Sequence, residues 1–428
     1  MAKLFRNYNT LAEYKADTNK PANTVCFIKD SKLIYVDGIQ YSYKQLDYLP
    51  PATTESEALE YMGKIVKNAK EIGLIYINPL PYIYWVGPSN TISIGGTTYT
   101  ADPDKITIGD TEYYQLKLNK YLNNSLYQLF MNNTFTNLTF NDTNTSKVTS
   151  MEQMFDGCAK LVSLDVSNFD TSKVTSMMKM FNKCNSLTSL NVSNFDTSKV
   201  TDMRYMFNRC KALTTLDISN FDTSKVTSMK AMFQLCNSLK SLDVSNFNTS
   251  NVTDMGFMFN QCKALTYLDA SKFNTSNVTN MNGMFQLCNS LKSLDVSNFN
   301  TSNVTDMKLM FGGCSSLTSL NVSKFNTSKV TDMYGMFYNC GALTYLDVSK
   351  FNTSNVTNMN GMFQLCSNLK LLDVSNFDTS KVTDMNEMFQ GCSALKTIRM
   401  VGCSQTTIDK IKAQLATDGI TGCTIVTE

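Results

Sequence analysis

Ten cysteines stand at an unbroken spacing of 26 residues, from Cys158 to Cys392, each closing a Met-Phe-x-x-Cys segment. Evenly spaced thiols could form disulfides, hold a soft metal, or pack as small apolar side chains. In a stack of coils, equivalent residues lie about 4.8 Å apart, inside the Cα range that a disulfide spans. Their Cβ vectors would run parallel rather than converge, so bridging would strain the stack. Buried free thiols fit a Met-Phe-x-x-Cys setting better, with a disulfide or a thiolate metal site as the alternatives. Twenty of the 25 methionines fall in two companion ladders begun by Met151 and Met154, and their regular spacing reads as packing.

A further ladder is acidic. Asp165, Asp217, Asp243, Asp269, Asp295, Asp347 and Asp373 share one repeat position, and Asn191 and Asn321 complete the row. Stacked carboxylates repel, so such a row must be hydrated, hydrogen-bonded to neighbouring Ser and Thr, or offered to a ligand, either calcium or a sugar. Two residues earlier the row is mostly Ser and Thr but holds Tyr267 and Tyr345. By strand alternation these two rings point outward, and exposed aromatics suit carbohydrate or protein contact. The candidate ligand-binding residues on this strand face are therefore Asp217, Asp243, Tyr267, Asp269, Asp295, Asn321, Tyr345 and Asp347. Variable pairs on the other side of the repeat compete with them: Arg204-Tyr205, Gly256-Phe257, Lys308-Leu309, Tyr334-Gly335 and Asn386-Glu387.

Catalysis has little to work with. Histidine is absent, which removes the commonest general base and the commonest metal ligand. Carboxylates alone can catalyse only as a specific pair in a cleft, and the sequence singles out no such pair. The chain is read as non-enzymatic and without a cofactor, calcium being the one ion the Asp row could take.

The elements that carry these ladders follow from the repeat, which decides the fold. The unit from Met151 reads M-x-x-M-F-x-x-C-x-x-L-x-x-L-D-V-S-N-F-D-T-S-K-V-T-D. Leu164 and Val166 fall on one side of a short strand and Asp165 on the other. Ser167-Asn168 suits a turn, Phe169 returns inward, and Val174 follows the polar Asp170-Thr-Ser-Lys turn. Met177, Met180, Phe181 and Cys184 fall at i, i+3, i+4 and i+7, the buried stripe of about two helical turns. One such unit cannot hide its apolar face; stacked copies can. The spacing thus predicts an α/β solenoid. A degenerate unit precedes it, with Leu129, Phe135, Leu138 and Phe140 in the positions of Phe155, Leu161, Leu164 and Val166.

Five regions result: an N-terminal β-hairpin attachment segment over 1–50, a small helix-plus-β module over 51–120, a degenerate capping repeat over 121–150, the array over 151–400, and a C-terminal cap over 401–428. The first two make small α+β modules. Hairpins are predicted at Asp37-Gly38 and Gly95-Gly96, with another over 106–118. Helices are predicted over 54–72 and from Ile408 after a Thr406-Thr407 cap, with a last strand at Cys423-Thr-Ile-Val.

Composition bounds the partners. A net charge of +2, from 38 basic and 36 acidic residues, supplies no field for nucleic acid. No apolar run is long enough to span a bilayer, so no membrane insertion is expected. The N-terminus, MAKLFRNYNTLAEYKADTNKP, shows no signal-peptide pattern, which points to synthesis in a reducing cytoplasm.

The units SLTSLNVSNFDTSKVTDMRYMF, from Ser186 to Phe207, and their neighbours resemble the BspA-like leucine-rich repeats of bacterial surface proteins over roughly 140–400. That resemblance implies a right-handed solenoid that binds partners and has no common enzymatic site. The opening FRNYNTLAEYKADTNKPANTVCFIKDSKLIYVDGIQYS, through Phe27-Ile-Lys-Asp30 and Ile34-Tyr35, resembles the start of structural proteins of phages of gut Bacteroidota. Together they imply a virion fibre, spike or decoration subunit made in the host cytoplasm. Its N-terminal region would join other virion proteins and form a homo-oligomer, and its array would bind a host-surface glycan or protein. A bacterial cell-surface adhesin is the alternative.

Overall fold

The computed structural model describes the backbone of residues 4–8, 24–28, 33–36, 39–42, 82–94, 97–101, 105–108, 111–117, 125–141 and 145–428. The helix predicted over 54–72 lies outside the described residues. The chain divides into two compact units, Met1–Val86 with Ala101–Asn119, and Gly87–Thr100 with Lys120–Glu428.

In the first unit, strand Leu4–Tyr8 pairs parallel with Thr24–Ile28, which pairs antiparallel with Leu33–Val36. Val36 opposite Ile39 closes the hairpin predicted at Asp37-Gly38. Tyr82–Val86, Thr111–Lys117 and Ile106–Ile108 form a second antiparallel set. It buries Trp85, whose ring lies 5.6 Å from that of Tyr114.

The second unit is a β-solenoid. Among the described residues, eleven rungs run from Ser125 to Asp384 as one continuous parallel ladder, one rung per coil. The short strand of the repeat forms at 163–165, 267–268, 293–294, 345–347, 371–373 and 397–399. The inward positions are those read from the repeat: Leu164, Val166, Phe169 and Val174 are buried, as are Met177, Met180, Phe181 and Cys184.

The helix expected at those last four residues is not there, so the fold is a solenoid of β type rather than α/β. Met180 N–H donates to Met177 O at 3.1 Å, Asn182 to Lys179 O at 3.1 Å and Cys184 to Phe181 O at 3.2 Å, the i→i−3 bonds of overlapping turns. The residues between them donate to the next coil instead: Lys179 to Arg204 O, Phe181 to Met206 O and Lys183 to Asn208 O, at 2.7–2.9 Å. Lys179 and Lys183 take left-handed φ values of 56° and 60° to make this zigzag. The physical reason is width. A helix with its side chains is about 10 Å across, whereas paired chains repeat every 4.7–4.9 Å or about that. A coil that pairs with its neighbours all the way round has no room for a helix.

Two aromatic and hydroxyl columns run through the stack. Phe130, Phe155, Phe181, Phe207 and their successors to Phe389 stack face to face, with neighbouring centroids 5.6–6.0 Å apart. Phe130, not Leu129, takes the Phe155 position, because the first rung joins Ser125 to Ser150 while the strand below pairs Leu138 with Leu164. One residue is therefore missing between them. Beside the rings, buried threonines such as Thr171, Thr197 and Thr223 each donate a hydroxyl to a carbonyl of the following coil at 2.9–3.0 Å.

Both ends of the stack are covered. Strand Thr91–Ile94 pairs antiparallel with Thr97–Thr100, Ile94 opposite Thr97, as the hairpin predicted at Gly95-Gly96 requires. It meets the first coil where Ser93 exchanges two hydrogen bonds with Asn133, at 3.0 and 2.8 Å. At the other end helix Gln405–Thr417 is capped by Ser404, whose hydroxyl accepts from Thr407 N–H at 3.2 Å. The helix thus begins ahead of the Thr406-Thr407 pair. That frees Thr407 to end the threonine column by taking the Thr379 hydroxyl at 3.2 Å. Asp418 accepts from Phe389 N–H at 2.8 Å, replacing the carbonyl a further coil would supply.

Candidate functional site

The ten repeat cysteines are free and buried. Each thiol donates to the carbonyl of the phenylalanine in the preceding coil, as Cys262 does to Phe233 O at 3.2 Å. Burial pushes the thiols up, to about 12 at Cys158, Cys236, Cys314 and Cys392. A thiol so raised yields almost no thiolate at neutral pH, and thiolate is the reactive form. A charged thiol reagent at pH 7.5 is therefore expected to label Cys403 and Cys423, which are only partly buried, and to spare all ten ladder thiols until denaturant is added. Peptide mass spectrometry before and after denaturation checks this; native labelling at any ladder cysteine overturns it.

The strand-face row is organised by local bonds. In each of Asp165, Asn191, Asp217, Asp243, Asp269, Asp295, Asn321, Asp347 and Asp373, Oδ1 accepts the backbone N–H of the serine two residues on, at 2.9–3.1 Å. This Asx turn ends the strand, and Asn makes it as well as Asp does. Hydrogen bonds from those serines hold Asp217, Asp243, Asp269 and Asp295 below the usual carboxylate range. The second carboxylate oxygen of these four has no hydrogen bond to the protein among the described residues and stays available. At the end of the row Arg399 pairs with Asp373 at 3.3 Å.

Two troughs open on this face. One, of about 420 Å³, is lined by Tyr267, Asp269, Asp295, Asn321 and Tyr345, so it brings together five of the eight sequence candidates. Tyr267 and Tyr345 are 60% and 50% exposed and stand three coils apart, about 14 Å at the usual strand spacing. Burial, then the carboxylates of Asp347 and Asp373, raise the Tyr345 phenol. The floor includes Leu320, which is half-buried while Leu268 and Leu294 are covered. The second trough, of about 510 Å³, takes in Asp217 and Asp243 with Asn191. Asp347 lies beside Tyr345 on strand Tyr345–Asp347 and lines neither.

Sequence reasoning missed Leu320, Thr318 and Thr344 as lining. The threonines sit in a row that elsewhere holds Lys240, Lys292, Lys370 and Lys396, a usable signal. Leu320 carries none, since its motif position is the same as that of covered leucines. Among the described residues no three His, Cys, Asp or Glu are grouped closely enough to hold a metal ion.

The turn-bearing side spends its variable pairs on contacts within the stack. Arg204 binds Asp202 of its own coil at 2.6 Å, and Lys308 binds Asp332 of the next coil at 3.1 Å. Phe257 lies over Gly283, where an added Cβ would meet its ring at 2.7 Å.

Three overlapping segments, residues 124–242, 212–319 and 310–407, match the family model described as "Mycoplasma protein of unknown function, DUF285". The chain belongs to the DUF285 family. The DUF285 segments together cover the coils of the solenoid and stop within the capping helix. The repeat also fits the BspA-like type read from Ser186 to Phe207. No curated protein matches the chain.

Proposed function

We propose that this DUF285 solenoid is a non-enzymatic binding protein whose strand face holds a host-surface ligand, and that it serves as a fibre, spike or decoration subunit of a phage virion. The observation that carries the binding role is the trough bounded by Tyr267 and Tyr345. Large rings left exposed beside Asp, Asn, Ser and Thr side chains offer stacking area together with hydrogen-bond acceptors. Nothing about the face calls for bond cleavage: its Asp and Asn side chains form turns, with at most one carboxylate of the row per coil. The virion placement draws on the N-terminal likeness to phage structural proteins, whose Phe27 and Ile34 are paired partners in this chain. The N-terminal unit would then attach to other virion proteins and oligomerise. The DUF285 description, which names Mycoplasma proteins, favours a bacterial surface adhesin as the second reading.

Fluorescently labelled full chain is expected to bind host cells, and Tyr267→Ala with Tyr345→Ala to weaken that binding by about tenfold per ring, each stack being worth about 1.5 kcal/mol at most. Undiminished binding by the double variant overturns the strand-face assignment. Gold-labelled antibody on purified particles separates the two settings: label on virions supports the first reading, and label confined to bacterial surfaces supports the second.

A further inference from the structure

The two troughs lie on successive coils of one face. The Asp217 trough takes in the coils of Ser189, Thr215 and Ser241, and the Tyr267 trough takes in the next four, those of Tyr267, Ser293, Ser319 and Tyr345. Every coil from that of Ser163 to that of Tyr345 presents the same pair of outward groups, a hydroxyl or phenol followed two residues later by an Asp or Asn. The surface is therefore periodic along the stack, repeating once per coil at about 4.8 Å.

That period discriminates between ligands. An extended peptide advances about 3.3 Å per residue and turns alternate side chains to the same face about 6.7 Å apart, so it falls out of register within a few coils. Strand addition, the usual way a sheet captures a peptide, also needs a free edge, and the coils between Ser189 and Tyr345 have neighbours on both sides. A pyranose chain advances by about one coil per sugar, presents hydroxyls at each step and has flat apolar faces for a ring to stack on. Charge decides the rest. Asp217, Asp243, Asp269 and Asp295 occupy four successive coils, and in each the turn uses Oδ1 and leaves the second oxygen without a hydrogen bond to the described residues. Such a row accepts hydrogen bonds from hydroxyls and repels phosphate, sulfate or uronate groups.

We infer that the strand face binds a neutral linear polysaccharide laid lengthwise across the coils, one sugar per coil, with Tyr267 as the platform at the junction of the two troughs and Tyr345 at one end. This rests on the reading of the strand face as the binding surface. The four coils from Tyr267 to Tyr345 would take four sugars, and the seven from Ser189 to Tyr345 would take seven.

The test uses the full chain against immobilised glucan, mannan, galactan and xylan, with polygalacturonate and a protein-coated surface as comparators. Size-graded oligosaccharides of whichever neutral polymer is retained are then titrated by calorimetry, from two to eight units. Affinity is expected to climb about tenfold or more from two to four units, to climb again towards seven, and then to level off. Tyr267→Ala is expected to weaken every length, and Tyr345→Ala to remove the gain from the last unit only. Retention with an affinity flat from two units upward overturns the lengthwise arrangement while leaving the strand-face reading intact. Retention only on polygalacturonate or only on protein overturns the neutral polysaccharide. Retention on nothing, or binding indifferent to both tyrosines, overturns the inference and the reading beneath it.

Discussion

Phe233→Ala is expected to lower stability by about 3–5 kcal/mol, the cost of truncating a fully buried phenylalanine, and to change how the chain unfolds. The ring is fully buried. It stacks on Phe207 at 5.7 Å and 6° and on Phe259 at 5.7 Å and 8°. A solenoid is nearly one-dimensional, so its stability is a sum of coil terms and interface terms between neighbours. Removing a central ring weakens two interfaces at once, and in a stack where each coil contacts only its neighbours nothing bypasses the defect. Denaturant unfolding followed by circular dichroism is expected to lose its single transition and show two, one for each side of the gap. Hydrogen exchange is expected to accelerate first in the coils around residues 207–259. Phe389→Ala provides the contrast, since that ring stacks on Phe363 alone among the described rings, at 6.0 Å; its loss should be smaller and the transition should stay single. Equal losses at the two positions, with one cooperative transition in both, would falsify the nearest-neighbour account.

The position of Phe233 inside the stack is legible in the sequence, and the reason marks the boundary of what a sequence can say. A 26-residue period with apolar residues at fixed places identifies which side chains must be buried, because only stacking can cover them. It does not say by what backbone path they turn inward. Met177, Met180, Phe181 and Cys184 have helical spacing, yet overlapping turns with left-handed Lys179 and Lys183 bury the same four. Both backbones satisfy the pattern; the pairing distance between coils excludes the helix, and that distance is a property of the stack. The Phe130 register was hidden for a related reason. One residue is dropped in a stretch between Phe130 and Phe135 that carries no motif, so a count from either side gives a different answer.

The candidate site divides along the same line. Outward residues such as Tyr267 and Tyr345 follow from alternation along a strand, and the row of Asp and Asn follows from the period. Their lateral relations did not. That Tyr267 and Tyr345 bound one trough, with Asp295 and Asn321 between them and Leu320 half-uncovered beneath, depends on how the coils between them pack. Bonding of the row to neighbouring serines was one of the readings the sequence left open, and the Asx turns supply it. A carboxylate that binds its own strand end looks, in sequence, the same as one held ready for calcium.

Thr301→Val tests the hydroxyl column directly, and the expected loss is about 2–3 kcal/mol, from leaving two backbone groups without partners. Valine has nearly the shape of threonine, so packing is kept and chemistry alone is changed. Thr301 is 1% exposed. Its hydroxyl donates to Asn326 O at 2.9 Å and accepts from Asn326 N–H at 2.8 Å, so one oxygen satisfies both polar groups of one residue in the next coil. Those groups turn towards the column and cannot swing round to other partners while Phe325 and Thr327 on either side stay buried. Thr301→Ser keeps the hydroxyl and loses only a methyl, for which about 1 kcal/mol is expected. Thr305, four residues on, offers the opposite environment. It is exposed, and its hydroxyl reaches Thr279 O at a longer 3.3 Å, so water can replace it and Thr305→Val should change stability by less than about 0.5 kcal/mol. Thermal and denaturant melts of the three variants order them as Thr301→Val, Thr301→Ser, Thr305→Val. If the two valine variants cost the same, the buried column contributes shape rather than hydrogen bonds, and the coils are held together by their apolar ladders alone.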